Sequence, residues 1–249
     1  MSISVSFDNN QFSLDLLQLP TRYYYFNESQ NYIKLLSIGE GIFPKDKIRT
    51  KIALKNSDTV FTTESATKVY PSKKEFGVNS INISLQNSNL EFINDELILY
   101  KDAKFLQLLK IKADEKSTFF YGDILSDGRS RENFDFHNMS AKNSFYCAND
   151  LEYLEKYQVL GRELKSYIID TKSKNDIFAK VYIKTNNNEQ FLNSLYENGN
   201  QSFSYTSNKK MLIGVISSNN MATLKKTVLN IWALYRKNLE KKEFNLGKQ

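Results

Sequence analysis

Residues 60–70 read Val-Phe-Thr-Thr-Glu-Ser-Ala-Thr-Lys-Val-Tyr, two β-favouring ends around a middle of small hydroxyl side chains. Thr62, Thr63, Ser65 and Thr67 offer hydroxyl oxygens, Glu64 a carboxylate and Lys68 a cation. Such a run is too small to fill a core and too polar to be buried without partners. It can let a second backbone or a solvated ion come close while presenting oxygen atoms to it. The plain alternative is a Thr-rich strand and turn with a surface Glu64–Lys68 ion pair, since Thr is a good strand residue. Acidic residues recur beside apolar stretches at Asp46, Glu91, Asp95, Glu96, Asp123 and Glu132. Each alone reads as a strand end in solvent. Together they allow a set of weak oxygen sites, because carboxylates and hydroxyls hold divalent cations loosely whereas imidazole and thiolate clusters retain transition metals. A chain that passes an ion along must release it, and oxygen sites along a water-filled passage meet that need.

Catalysis finds few of its usual parts here. His137 is the single histidine and Cys147 the single cysteine. Both fall in an Asn-rich stretch that reads as loop, with no nucleophile elbow and no oxyanion signal beside them. One His and one Cys make a tight zinc-type site arithmetically hard. No Gly-rich phosphate loop is present, so the chain does not read as a nucleotidase. Paired carboxylates, Asp95 or Glu96 with Asp123, remain as a hydrolase reading that requires the two groups ~5–10 Å apart in an open cleft.

The elements that would position these residues are mostly strands. The 249 residues suit one large domain or two small ones, and 41% hydrophobic with 25% charged residues is an ordinary globular balance. Alternation marks Ile3, Val5 and Phe7, then Ile48 to Leu54, then Ile81, Ile83 and Leu85. Further short strands follow through Leu125, and Phe105 to Leu109 is apolar enough to suggest burial on both faces. Two late helices are expected. Phe191, Leu192, Leu195 and Tyr196 have helical spacing before Gly199. Met221, Leu224, Val228, Ile231, Trp232, Tyr235 and Leu239 form a core-facing stripe over residues 219–241. The tail from Asn245 is expected to fray. Many short strands with two helices exclude a doubly wound fold and leave a sandwich, a barrel or a strand superhelix. The 15 Tyr and 17 Phe fit a sheet-rich core.

A net charge of +6 raises the question of nucleic acid, but the lysines are scattered and no RNA- or DNA-binding motif accompanies them. No apolar run reaches the roughly 18 residues of a membrane helix. The first residues lack a secretory pattern, and a lone cysteine fits a reducing cytosol.

Taken in order, these residues resemble the urease accessory protein family UreD, also called UreH. Gly39, Gly41 and Asp46 match its glycine-rich turn, with Glu40 and Lys45 where glycines are usual. Thr62, Thr63, Ser65, Ala66, Thr67, Lys68 and Tyr70 match its most characteristic run, with Glu64 replacing the commoner Gln or Pro. Phe92, Ile98, Tyr100, Ala103 and Phe105 reproduce the spacing around Asp95-Glu96, without the usual proline. Gly128-Arg129 and Glu132-x-Phe134 match a Gly-Arg and Glu-x-Phe segment. Leu212-Ile213 enter a strand that usually carries Arg where Gly214 stands, and Trp232 and Arg236 fit the final helix.

The resemblance implies a mainly β, superhelical (β-helix-like) array of short strands with two helices in the C-terminal region. A single domain would span residues 1–249, strand-rich over 1–185 and helix-containing over 186–245. It also implies a cytoplasmic, non-enzymatic scaffold that docks on apo-urease with the accessory proteins UreF and UreG. No cofactor would be held tightly, and nickel would be in transit. The candidate polar path or partner contact comprises Asp46, Thr62, Thr63, Glu64, Ser65, Thr67, Lys68, Glu96, Asp123, Arg129 and Glu132. A bulky side chain at Ser65 or Ala66 should then obstruct the path, and loss of the Thr63 oxygen should matter little. The rival readings are a β-rich module binding carbohydrate or peptide through exposed aromatics, and the carboxylate hydrolase.

Overall fold

Alternating apolar residues turn inward along the strands. In β1 (Ser2–Asp8), Ile3, Val5 and Phe7 are each 1% exposed. β2 (Gln11–Gln18) returns as a hairpin, and β3 (Thr21–Phe26) and β4 (Asn31–Ser37) form a second one. From there the chain alternates between two sheets through β5 (Lys47–Lys55), β6 (Asp58–Thr63), β7 (Thr67–Val69), β8 (Gly77–Gln86), β9 (Asn89–Leu99), β10 (Lys104–Ala113), β11 (Thr118–Leu125) and β12 (Asn138–Cys147). β13 (Asp150–Val159), α1 (Gly161–Asp170), β14 (Ile177–Lys184), α2 (Asn188–Glu197), β15 (Phe203–Tyr205), β16 (Leu212–Ser218) and α3 (Met221–Asn238) complete it. The computed structural model describes residues 1–37, 41–128, 132–173 and 177–247. Gly39, Glu40 and Arg129, named above, lie outside them.

Sheet order is β13-β12-β10-β8-β5-β1-β2 in one layer and β15-β16-β14-β11-β9-β6-β4-β3 in the other, where β7 also pairs with β9. The central strands pair in parallel with their neighbours, so successive coils stack into a solenoid of about four turns, closed at its ends by antiparallel strands. The mainly β superhelix expected from the sequence is the fold.

One corner of each coil is built from asparagine and serine. Asn9, Asn56 and Asn87 all adopt positive φ, where Asn is better tolerated than most residues. Their amides form a ladder: Asn56 donates to Asn9 at 3.2 Å, Asn87 donates to Asn56 at 2.9 Å, and the Asn87 backbone N–H reaches Asp114 at 2.8 Å. Beside it, backbone N–H groups of Asn10, Ser57 and Ser88 donate to the hydroxyls of Ser57, Ser88 and Ser117. The coils differ in length, with ladder spacings of 47, 31 and 27 residues, which hides the repeat from a search for a constant period.

Between the sheets, Phe7, Phe61, Phe92, Tyr121 and Tyr182 form a row of edge-to-face and tilted ring contacts at centroid distances of 6.5, 5.7, 5.4 and 6.3 Å, which is where much of the aromatic content goes. A second core lies under α2 and α3, where Leu224, Val228, Ile231, Trp232 and Tyr235 are buried against the second sheet. The two expected helices are present, capped by Asn187 and Asn220 side chains.

Four expectations need correction. β10 alternates, with Phe105, Gln107, Leu109 and Ile111 buried and Leu106 and Leu108 half-buried, so it faces solvent on one side. The Asn-rich stretch around Cys147 is the β12–β13 hairpin; its apolar residues face inward at every second position, but Asn and Ser mask the pattern. A third helix, α1, was not foreseen because no side chain caps it. It begins at Gly161, where a Cβ would lie about 2.1 and 2.2 Å from the Phe134 and Phe136 carbonyl oxygens. The tail does not fray at Asn245: Leu246 is 5% exposed, and the Tyr32 hydroxyl donates to its carbonyl at 2.6 Å.

Candidate functional site

The Thr-rich run closes a gap in the second sheet. β6 pairs with β9 as far as Thr62 opposite Ile93, and pairing resumes only at Thr67 opposite Leu97. In between, β9 carries a bulge against β11, where Ile93 and Glu96 face Gly122 and Ile124, leaving Asn94 and Asp95 against Asp123. A bulge strands backbone groups, and the two threonines satisfy them. The Thr62 hydroxyl donates to the Ile93 carbonyl at 2.7 Å, and the Asp95 N–H donates to the Thr63 hydroxyl at 2.7 Å. Residues 63–66 therefore leave the β9 ladder, with Thr63 still paired to Leu35 of β4, and the bulge re-aims Asn94, Asp95 and Asp123.

Two adjoining cavities occupy the space so created, at the end of the sandwich opposite the asparagine corner. The smaller, about 140 Å³, is lined by Thr63, Ser65, Ala66, Thr67 and Lys68 with Thr50, Asn79 and Asn94. The larger, about 420 Å³, is lined by Asn94, Asp95, Gln107, Asp123, Asn143, Lys180 and Tyr182 among apolar neighbours. Thr67, Asn79, Ile81 and Asn94 line both, so the two spaces lie side by side. Both have room for water, since one molecule occupies ~30 Å³ in the liquid.

Polar groups from both sheets converge on the larger cavity. Asp123 accepts from the Asn94 amide at 2.8 Å and the Gln107 amide at 2.7 Å. Burial pushes its carboxyl up to about 6, against the hydrogen bonds from Gln107 and Asn94 that favour ionisation. Its side chain is half-buried because it borders the cavity, so water there moderates that push. Glu155 accepts from Tyr182, from Asn143 at 2.6 Å and from Lys180 at 3.1 Å. Burial and the Glu155 charge hold the Tyr182 hydroxyl far above its usual range, so it stays a neutral donor.

The sequence-derived residues divide accordingly. Thr63, Ser65, Thr67, Lys68 and Asp123 line one or both of the two cavities. Thr62 is fully buried beneath them. Glu64 pairs with Lys34 at 3.0 Å, not with Lys68, because parallel β4 lies beside β6 and brings Lys34 opposite Thr62. Asp46 accepts from the Phe43 N–H at 2.9 Å within its own turn, Glu96 pairs with Lys225 at 2.6 Å, and Glu132 accepts from the Lys101 N–H at 3.2 Å. These three are not among the cavity residues. Asn79, Asn94, Gln107, Asn143, Glu155, Lys180 and Tyr182 escaped sequence reasoning; polar residues at inward positions of Gln107-Leu108-Leu109 and Lys180-Val181-Tyr182 were the available signal.

A fully buried acid outside this region is Glu91, 0% exposed, which accepts from Trp232 and Arg236 at 2.6 Å each and pairs with Lys241 at 3.2 Å. It anchors α3 to the second sheet rather than ending a strand in solvent. Cys147 is 1% exposed and burial pushes its thiol up to about 11, while His137 is exposed at the opposite end of the ten-residue β12. At ~3.3 Å per residue they cannot meet as a pair.

Among the described residues no three His, Cys, Asp or Glu side chains group as a metal site, and no helix is long and apolar enough to cross a membrane. The fold and cavity define a two-sheet solenoid whose largely apolar interior holds a water-accessible space with a few convergent polar groups. The model of the UreD urease accessory protein family matches residues 17–246. The chain is 64% identical over 250 residues to the urease accessory protein UreD of Aliarcobacter butzleri (strain RM4018), covering 100% of each. It is 27% identical to that of Bacillus sp. (strain TB-90), over 70% of this chain and 65% of that protein. The chain belongs to the UreD urease accessory protein family.

Proposed function

We propose that this protein acts in urease maturation as a non-enzymatic cytoplasmic scaffold. It docks on apo-urease together with UreF and UreG and offers nickel a route through its interior. The observation that carries this reading is the pair of adjoining cavities, where hydroxyl, amide and carboxylate groups gather between apolar walls. Such groups bind a hydrated divalent cation weakly and release it, which suits transfer. Asp123 supplies the negative charge along this route, with Asn94 and Gln107 holding its two oxygens in place. No cofactor is needed for such a role; nickel is the cargo.

The carboxylate-hydrolase reading has less support. Asp95 pairs with Lys225 at 3.6 Å and Glu96 with the same lysine at 2.6 Å, so neither is poised with Asp123 as an acid–base pair.

Obstruction tests the route. Ala66 lines the smaller cavity, and Ala66→Trp places a bulky side chain at its wall. In a strain lacking this gene, the wild-type gene should restore nickel to urease. The Ala66→Trp gene, expressed and folded, should leave urease present but poor in nickel. Fully loaded urease in the empty deletion strain would sink the maturation role, and loading by folded Ala66→Trp would sink the route.

A further inference from the structure

The first sheet turns one face to solvent, because α2 and α3 pack on the other sheet. On this outer face Arg49, Lys51, Lys110, Lys112, Lys142 and Lys156 point the same way, as strand register requires. Lys51 lies opposite Asn82, Asn82 opposite Lys110, and Lys110 opposite Ser144; Arg49, Ser80, Leu108, Lys142 and Lys156 form the next row. None of the outward positions of β5, β8, β10 and β12, nor residues 154, 156 and 158 of β13, is acidic. Among the described residues none of the six cations is in an ion pair; Lys55, at the rim, pairs with Asp8. Lys142 and Lys156 stand directly opposite each other, an arrangement that destabilises a sheet unless counter-charge is supplied.

We propose that this face docks an acidic protein surface, and, resting on the maturation role above, that the surface belongs to apo-urease. Protein is favoured over the other polyanions by what lies between the cations. Leu108 is half-buried and Leu154 48% exposed in these rows, and Leu106 is half-buried in the row beside them, giving apolar contact that a phosphate backbone does not use. Tyr146, flanked by Lys110 and Lys112 at 5.2 and 5.7 Å, is the lone aromatic of the patch, too little for stacking successive bases. No Trp or Phe stands on these outward positions to anchor a lipid interface.

The test measures binding of purified apo-urease to the full-length protein across a salt series. Wild type should bind, more weakly as salt rises. Lys51→Glu/Lys110→Glu/Lys142→Glu should lose ~10-fold or more in affinity, and the milder Lys51→Gln/Lys110→Gln/Lys142→Gln should fall between. Both should keep the wild-type circular dichroism and melt no lower than wild type, since either change relieves the Lys142–Lys156 repulsion, and the neutral variant serves if the reversed one misfolds. Lys226→Glu/Lys237→Glu, exposed on α3, should bind as wild type. Unchanged affinity in the folded variants would overturn the inference while leaving the maturation role intact. So would variants that lose binding only to double-stranded DNA or phosphatidylglycerol vesicles. A wild-type protein with no affinity for apo-urease at any salt would overturn the docking part of the maturation role, and this inference with it.

Discussion

Thr63 shows how one hydroxyl can serve structure at a place the sequence marks for ligands. Its oxygen accepts the Asp95 N–H that the β9 bulge leaves without a ladder partner. The expectation that its loss matters little therefore changes. Thr63→Ala should cost about 1 kcal/mol, the worth of a half-buried hydrogen bond, read as a lower midpoint in denaturant. An unchanged midpoint would mean that cavity water takes the hydroxyl's place. Asp123 carries a pH signature. Its folded-state value of about 6 lies above the 3.8 of an unperturbed carboxyl, so the folded state holds the extra proton between those values. Stability from this group is greatest below about 4, falls as pH rises towards 6, and is level above. Asp123→Asn removes that slope, provided the Gln107 amide turns to accept. It should raise stability at pH 7 by up to about 3 kcal/mol, less what cavity water already offsets, and change little at pH 4. Melting curves at the two pH values decide it; equal gains at both would show that Asp123 titrates normally.

Among the elements, the C-terminal half of α3 is tied to a buried acid of the sheet it packs on. Glu91 receives Trp232 and Arg236 on one oxygen and Lys241 on the other, so its buried charge is compensated on each side. Removing one partner of a buried charge is far costlier than the pair is worth. Trp232→Ala loses both the packing of a side chain 4% exposed and a donor to Glu91, and should lower stability by about 3–5 kcal/mol in thermal or denaturant unfolding. A melting temperature equal to wild type would mean that the helix does not rest on this contact. The strand pairing around the Thr-rich run works at the same scale: small residues at 65 and 66 let the loop bend over the bulge without filling the space below.

The whole molecule joins a rigid body to a soft interior. Aromatic stacking and the asparagine ladder stiffen one half of the sandwich, while amides and carboxylates line the cavities of the other. A body of this kind can carry an ion without trapping it. Protein incubated with nickel and then dialysed should keep well under one equivalent, by metal analysis, and calorimetry should show weak binding only. A dialysis-resistant one-to-one site would contradict transfer through the cavities.

Local periodicity determined a good deal from the sequence alone. Alternation marked the strands from Ile3 to Leu125, helical spacing marked α2 and α3, and the Thr-rich run stood out because its small polar residues suit neither core nor ordinary surface. The Asn-Ser corners at 56–57 and 87–88 were legible too, but coils of unequal length disguised them. What only the tertiary structure decided was partnership. Glu91 finds Arg236 across 145 residues, Lys34 takes Glu64 from Lys68, and Cys147 enters the core away from His137. The reason is physical. A strand's inward and outward faces follow from its own alternation, whereas the neighbour of each polar side chain depends on the register of other coils, and one bulge in β9 was enough to turn Asn94, Asp95 and Asp123 towards a common space.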